Sequence, residues 1–200
     1  MEYIDQSIKE IRNDWFSNHQ IKRFDGGSDF ARISFGETGT RMYQVDYVLS
    51  DSMIFITGDL GDASYRLTCD ASLENIQDFN LGYFTEKLTS SERKKYVFDS
   101  KLAQREIEDF IFDICNVEHI DQLHEEDRNL LEEILIAATE WNLCEHFEMA
   151  VFSIYESSSV EWFDGDAASH ISNCGKRLSK SIIAYWVGLQ MVAEKMEGDS

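Results

Sequence analysis

Between residues 20 and 68 apolar side chains alternate with polar ones; after residue 71 they recur every three or four positions. This change of period constrains the fold more than any other feature. A period of two builds a half-buried strand, and a period near 3.6 builds an amphipathic helix. The first stretch holds Ile21-Lys22-Arg23-Phe24, Phe30-Ala31-Arg32-Ile33-Ser34-Phe35, Met42-Tyr43-Gln44-Val45-Asp46-Tyr47-Val48 and Met53-Ile54-Phe55-Ile56-Thr57, with Ala63-Ser64-Tyr65-Arg66-Leu67-Thr68 as a fifth candidate strand. Clusters such as Asp25-Gly26-Gly27-Ser28 and Gly58-Asp59-Leu60-Gly61-Asp62 separate them. Short runs broken by turn residues predict an antiparallel meander. Ahead of it, Ile4, Ile8, Ile11 and Trp15 predict a helix over 2–17. Behind it, short helices are expected from Ser72 and from Leu81 to Leu88. Longer ones follow Asp99-Ser100 and cover 125–142, 143–156 and 174–197. The expected fold is α+β: an N-terminal helix, a meander of four or five strands, then a mainly helical, acidic C-terminal half. The expected division is 1–95 and 96–200, or one continuous domain.

The helical half carries the charge. The 200 residues include 18 Lys+Arg against 38 Asp+Glu, a net of −20. Residues 101–166 hold 18 of the acids, with Lys101, Arg105 and Arg128 as the bases, a net of −15. Charge this dense repels itself, and a small domain needs only about 2–8 units for solubility. The excess points to a partner of opposite sign. It argues against direct binding to nucleic acid or an anionic membrane, whose phosphates it would repel.

Helical spacing gathers the acids into rows. Glu106, Asp109 and Asp113 fall at i, i+3, i+7, opposite Ile107 and Ile111; Glu126, Glu133 and Glu140 recur every seven residues; Glu145 and Glu148 carry the surface onward. Such rows imitate a run of phosphates, because an Arg fork accepts a carboxylate much as it accepts a phosphate. A solvated helix face is the plainer alternative. Trp162, in Val160-Glu161-Trp162-Phe163-Asp164-Gly165-Asp166, adds an aromatic anchor inside an acidic rim, unless both rings only close the core. These nine residues form the expected partner-binding set, and the expected partner is a basic nucleic-acid-binding protein.

Other chemistry is weaker. Cys69, Cys115, Cys144 and Cys174 form no CxxC pair, and no apolar run follows Met1-Glu2-Tyr3-Ile4-Asp5. No segment nears the about 20 apolar residues that span a membrane. Free, mostly buried thiols in a reducing cytoplasm are expected. Cys115, His119, Cys144 and His146 fit none of the common zinc spacings, and a cysteine–histidine nucleophile from Cys115 or Cys144 lacks a visible oriented base. The glycines of the 58–62 loop read as a hairpin turn rather than a phosphate loop. Asp59 and Asp62 as metal ligands remain the basis of an enzyme alternative, a small nucleotide or phosphoester hydrolase. An interaction adaptor is the third class. No cofactor is expected.

Trp15-Phe16-Ser17-Asn18-His19, Tyr43-x-Val45-x-Tyr47-Val48, the stretch from Phe55-Ile56-Thr57-Gly58 to Leu67-Thr68, and Asn80-Leu81-Gly82-Tyr83-Phe84-x-x-Lys87-Leu88 resemble a group of small proteins carried by phages and mobile elements of Gram-positive bacteria. The resemblance covers roughly residues 10–90 and leaves the acidic helices outside. It supplies no catalytic residues. It implies a genomic setting in which small acidic proteins serve against host defence, as anti-CRISPR or anti-restriction factors that occupy a DNA-binding surface. A non-enzymatic inhibitor, with a type II CRISPR nuclease as favoured target, is therefore the expected function.

Overall fold

The computed structural model describes residues 2–27 and 30–198; Ser28, in the first expected turn, lies outside them. The chain is α+β and divides into two units. One comprises Met1–Lys95 and Leu178–Ser200, the other Tyr96–Arg177.

The first unit opens with α1 (Glu2–Glu10), which runs into a wide turn over Ile11–Trp15. Phe16 N–H closes that turn by donating to Ile11 O, five residues back, at 2.9 Å. Six strands follow, β1 (Gln20–Gly26), β2 (Phe30–Gly36), β3 (Val45–Ser50), β4 (Met53–Gly58), β5 (Ala63–Arg66) and β6 (Leu88–Ser91). They pair antiparallel in chain order. Two short helices, α2 (Leu73–Gln77) and α3 (Leu81–Glu86), lie between β5 and β6, capped by the side chains of Ser72 and Asn80. The register aligns Ala31, Leu49, Ile54 and Tyr65 in one cross-strand row and Ile33, Tyr47, Ile56 and Ala63 in the next. Both rows are buried and form the inner face of the sheet.

In the second unit, β7 (Tyr96–Phe98) pairs with β8 (Lys176–Leu178). Between them run α4 (Ser100–Cys115), α5 (Glu125–Glu140), α6 (Cys144–Ser157) and α7 (Gly165–Ser172). Contacts link α4 to α5, α5 to α6, α6 to α7 and α7 back to α4. The four helices therefore ring one core, in which Ile107, Ile111, Leu131, Ile134, Phe147, Val151 and Ile171 are fully buried. Asp99 caps α4 by accepting from Leu102 N–H at 2.9 Å, and Asp164 caps α7 by accepting from Asp166 and Ala167.

The chain then returns to the first unit as α8 (Lys180–Gly198). Residues 181–193 carry no charge, and Ile182, Tyr185, Leu189 and Val192 are fully buried in the sheet core. Several polar atoms brought into this core find partners, while the buried Tyr65 hydroxyl has none among the described residues. Tyr47 Oη donates to Tyr185 O at 3.0 Å, Tyr185 Oη to Leu60 O at 2.8 Å and Trp186 Nε1 to Phe79 O at 2.8 Å. Two ion pairs, Lys180–Glu10 and Arg12–Glu194, each at 2.6 Å, tie α8 to the N-terminal helical segment.

The structure adds β7 and α7, which the sequence pattern does not predict, and differs from the expectation in the sheet and the last helix as well. The sheet has a sixth strand, because Leu88, the end of an expected helix, and Thr89-Ser90-Ser91 beyond it pair with β5. The last helix starts at Lys180 rather than 174, because Gly175 at φ +74 turns the chain and Lys176–Leu178 is extended. That helix also belongs with the sheet, so the second unit ends at Arg177 rather than running to the C-terminus. A helix apolar on nearly every side needs burial all round, and the sheet face together with α1, α2 and α3 provides it.

Candidate functional site

The acids of the second unit sit on the outer surfaces of a helix ring whose inner surfaces are apolar. Over Tyr96–Arg177 there are 19 acidic and five basic residues, a net of −14. Glu106, Asp109 and Asp113 are exposed on α4, Glu126, Glu133 and Glu140 on α5, and Glu145 on α6; Glu148 is half-buried. The seven-residue repeat on α5 spaces its carboxylates about 10.5 Å apart along the helix.

These residues do not form one continuous face. Glu106, Asp109 and Asp113 line a groove of about 490 Å³ together with Phe110 and with His170, Asn173 and Cys174 from α7 and its end. His170 stacks on Phe110 with ring centres 4.1 Å apart. The α6 acids surround a separate depression of about 510 Å³. Because α4 and α6 each neighbour both α5 and α7, they stand diagonally in the ring, and their outer surfaces point apart. One flat surface can reach α5 with one neighbour, not all three rows.

Several expected contacts already serve the fold. Glu106 accepts from Gly175 N–H at 2.7 Å and so fixes the turn into β8. Glu148 pairs with Lys176 at 3.5 Å. Trp162 is half-buried and donates its indole N–H to Asp127 at 2.8 Å, while Phe163 is buried. Trp162 thus pins the 158–164 loop to α5. Two more of the five bases are spent in the same way. Arg128 donates to the carbonyls of Asp121 and Leu123, at 3.3 and 3.2 Å, and Arg177 pairs with Asp99 at 2.9 Å.

Cys69 is exposed, Cys115 half-buried, and Cys144 and Cys174 buried. Burial, reinforced by Glu106, pushes the Cys174 thiol up to about 12. Burial and then Asp127 raise Cys115. A thiol raised in this way stays protonated at neutral pH, which opposes nucleophilic use of Cys115. Among the described residues, no three His, Cys, Asp or Glu side chains are grouped to hold a metal ion. Asp59 accepts from Tyr43 N–H at 2.8 Å and holds the preceding loop in place; Gly58 and Gly61 have φ of +142° and +100°, as a glycine turn requires. Among the described residues no helix is long and apolar enough to cross a membrane.

Sequence reasoning missed the apolar side chains between these acids. Met149 is 71% exposed and Phe152 36%, inside Glu145, Glu148 and Glu156 on α6; Ile136, 58% exposed, lies between Glu132 and Glu140 on α5. The signal was present, because Met149 and Phe152 fall outside the buried stripe of Phe147, Val151 and Ile154. Comparison of the chain with known protein families, curated proteins and solved structures finds no match.

Proposed function

We propose that this protein is a non-enzymatic inhibitor that binds a basic, nucleic-acid-processing protein through its acidic helical unit, in the manner of anti-CRISPR or anti-restriction factors. A type II CRISPR nuclease is the favoured target, because such a nuclease holds its duplex in a positively charged channel. The observation that carries this reading is the uneven use of charge. Arg128, Arg177 and Lys176 are engaged within the unit, while Glu126, Glu133 and Glu140 stand exposed in a row on α5. Carboxylates left without basic neighbours steer an oppositely charged partner and accept its arginines. The α5 row leads the contact, with one neighbouring helix beside it.

The test is a titration of the chain into a purified type II nuclease that is cleaving its target DNA. An occupying inhibitor lowers activity linearly until about one equivalent, and added salt relaxes the block, because charges are screened over about 8–10 Å at 0.1–0.15 M ionic strength. Inhibition far below one equivalent, with a chemically altered guide or target, would make the protein an enzyme. No inhibition at low salt would remove this target.

A further inference from the structure

The α6 surface, like the α5 row around Ile136, has an apolar centre, and on α6 that centre holds two exposed large side chains, Met149 and Phe152. Glu145, Met149, Phe152 and Glu156 follow i, i+4, i+7, i+11 spacing and so share one stripe, opposite the buried Phe147, Val151 and Ile154. With Glu148 and Ser153 they line the depression of about 510 Å³. Met149 is 71% exposed and Phe152 36%, and together they make an apolar pair on one stripe rather than a lone exposed side chain. Met adapts its shape to a partner, and an aromatic ring gives a large contact area. The surrounding carboxylates determine which partner suits the patch.

We infer that the Met149–Phe152 patch of α6 is the docking site for a basic amphipathic helix of the partner protein, one that presents apolar side chains to Met149 and Phe152 and Lys or Arg to the acidic rim at Glu145 and Glu156. The inference rests on the inhibitor reading and adds to it a hydrophobic anchor with a stated chemistry. A second copy of this chain would bring like charge against like, and an anionic membrane would do the same. A cationic helix satisfies both parts of the patch. Its apolar residues dock at i, i+3, i+4 spacing and its bases meet the acidic rim. Burial of the two apolar side chains slows dissociation and is not screened by salt, whereas the α5 carboxylates act mainly on capture.

The test uses two synthetic peptides of about 14 residues, the length of α6. One is an amphipathic helix of Leu and Lys. The other has the same composition, scrambled so that its apolar residues do not share a face. The intact chain should bind the amphipathic peptide about tenfold or more tightly than the scrambled one and keep the difference in high salt. Met149→Ala with Phe152→Ala should remove the difference, and so should Met149→Lys, which changes the more exposed of the two positions. Glu126→Gln with Glu133→Gln and Glu140→Gln should weaken both peptides alike and preserve their ratio. Equal binding of the two peptides by the intact chain, untouched by the α6 variants, would overturn the docking site and leave the acidic reading standing. Binding of neither peptide at low salt would overturn both. Self-association of the chain at micromolar concentration, abolished by Met149→Lys, would make a second copy the occupant and overturn the basic helix.

Discussion

His19 is 5% exposed, wedged between the rings of Phe16 and Phe35. Its Nε2 lies 3.1 Å from Tyr43 O, and its Nδ1 has no hydrogen-bond partner among the described residues. A carbonyl only accepts, so Nε2 carries the proton and Nδ1 keeps a bare lone pair. Protonation would bury a charge and a second donor without an acceptor, and burial accordingly lowers the His19 pKa. The unfolded chain then binds the proton more readily than the folded one. Stability is complete above the ordinary imidazole value of about 6.5 and falls as pH drops from there toward the folded value. NMR titration of the His19 ring should give a midpoint below the ordinary value, and urea midpoints should fall between pH 7.5 and 5.5, less so in His19→Asn. A midpoint at or above the ordinary value would contradict this. A second residue-scale prediction concerns Gly188, where a Cβ would press into the Tyr47 hydroxyl. Gly188→Ala should cost about 1–3 kcal/mol by overpacking. Tyr47→Phe should cost about 1 kcal/mol by losing the bond to Tyr185 O. The double variant should lose less than the sum, since removing the hydroxyl opens the space the methyl needs. Simple additivity in urea unfolding would show that the two positions do not meet.

At the scale of elements, α5 combines a structural inner face with an outer row that the fold does not use. Glu126 lies in its first turn, where the helix dipole favours a carboxylate, and Glu140 is its last residue, where the dipole opposes one. Replacing Glu126, Glu133 and Glu140 with Gln should therefore change stability by no more than about 0.5 kcal/mol, because the two end effects cancel. A fall in the thermal midpoint of many degrees would mean that the row has a structural role. Elements with strong periodicity were legible in the sequence. The alternation through β2, β3 and β4 and the stripes of α4 and α5 follow from burial on one side. β6 was not legible, because Thr89, Ser90 and Ser91 have no apolar alternation and their strand exists only through pairing with β5. Nor was α7, eight residues long and containing Gly165, Ser169 and Ser172, which depends on the Asp164 cap and on packing against α6 and α4. The placement of α8 was legible and misread, since a helix with thirteen successive uncharged residues does not suit an acidic surface. In the candidate site, sequence spacing located the carboxylate rows. It did not reveal that Glu106 and Trp162 are engaged by backbone and loop, because their partners lie 69 and 35 residues away.

At the scale of the whole molecule, the charge is divided between two units with different economies. The sheet unit holds the remaining −6 of the net −20, and its bases pair across elements, as Arg12 does with Glu194 and Lys180 with Glu10. The helical unit keeps −14 on a ring of helices whose core is complete without those acids. A charge that self-repulsion opposes and that the helical core does not use is the ground on which a basic partner is proposed. The partner's own nucleic acid should then compete for the same surface. The direct measurement is fluorescence anisotropy of a labelled DNA duplex held by a type II CRISPR nuclease, followed as this protein is added. The duplex should be displaced as the protein binds, and the Glu126→Gln, Glu133→Gln, Glu140→Gln variant should displace it only at higher concentration. A duplex that stays bound while the protein joins the same complex would contradict phosphate mimicry by the helical unit.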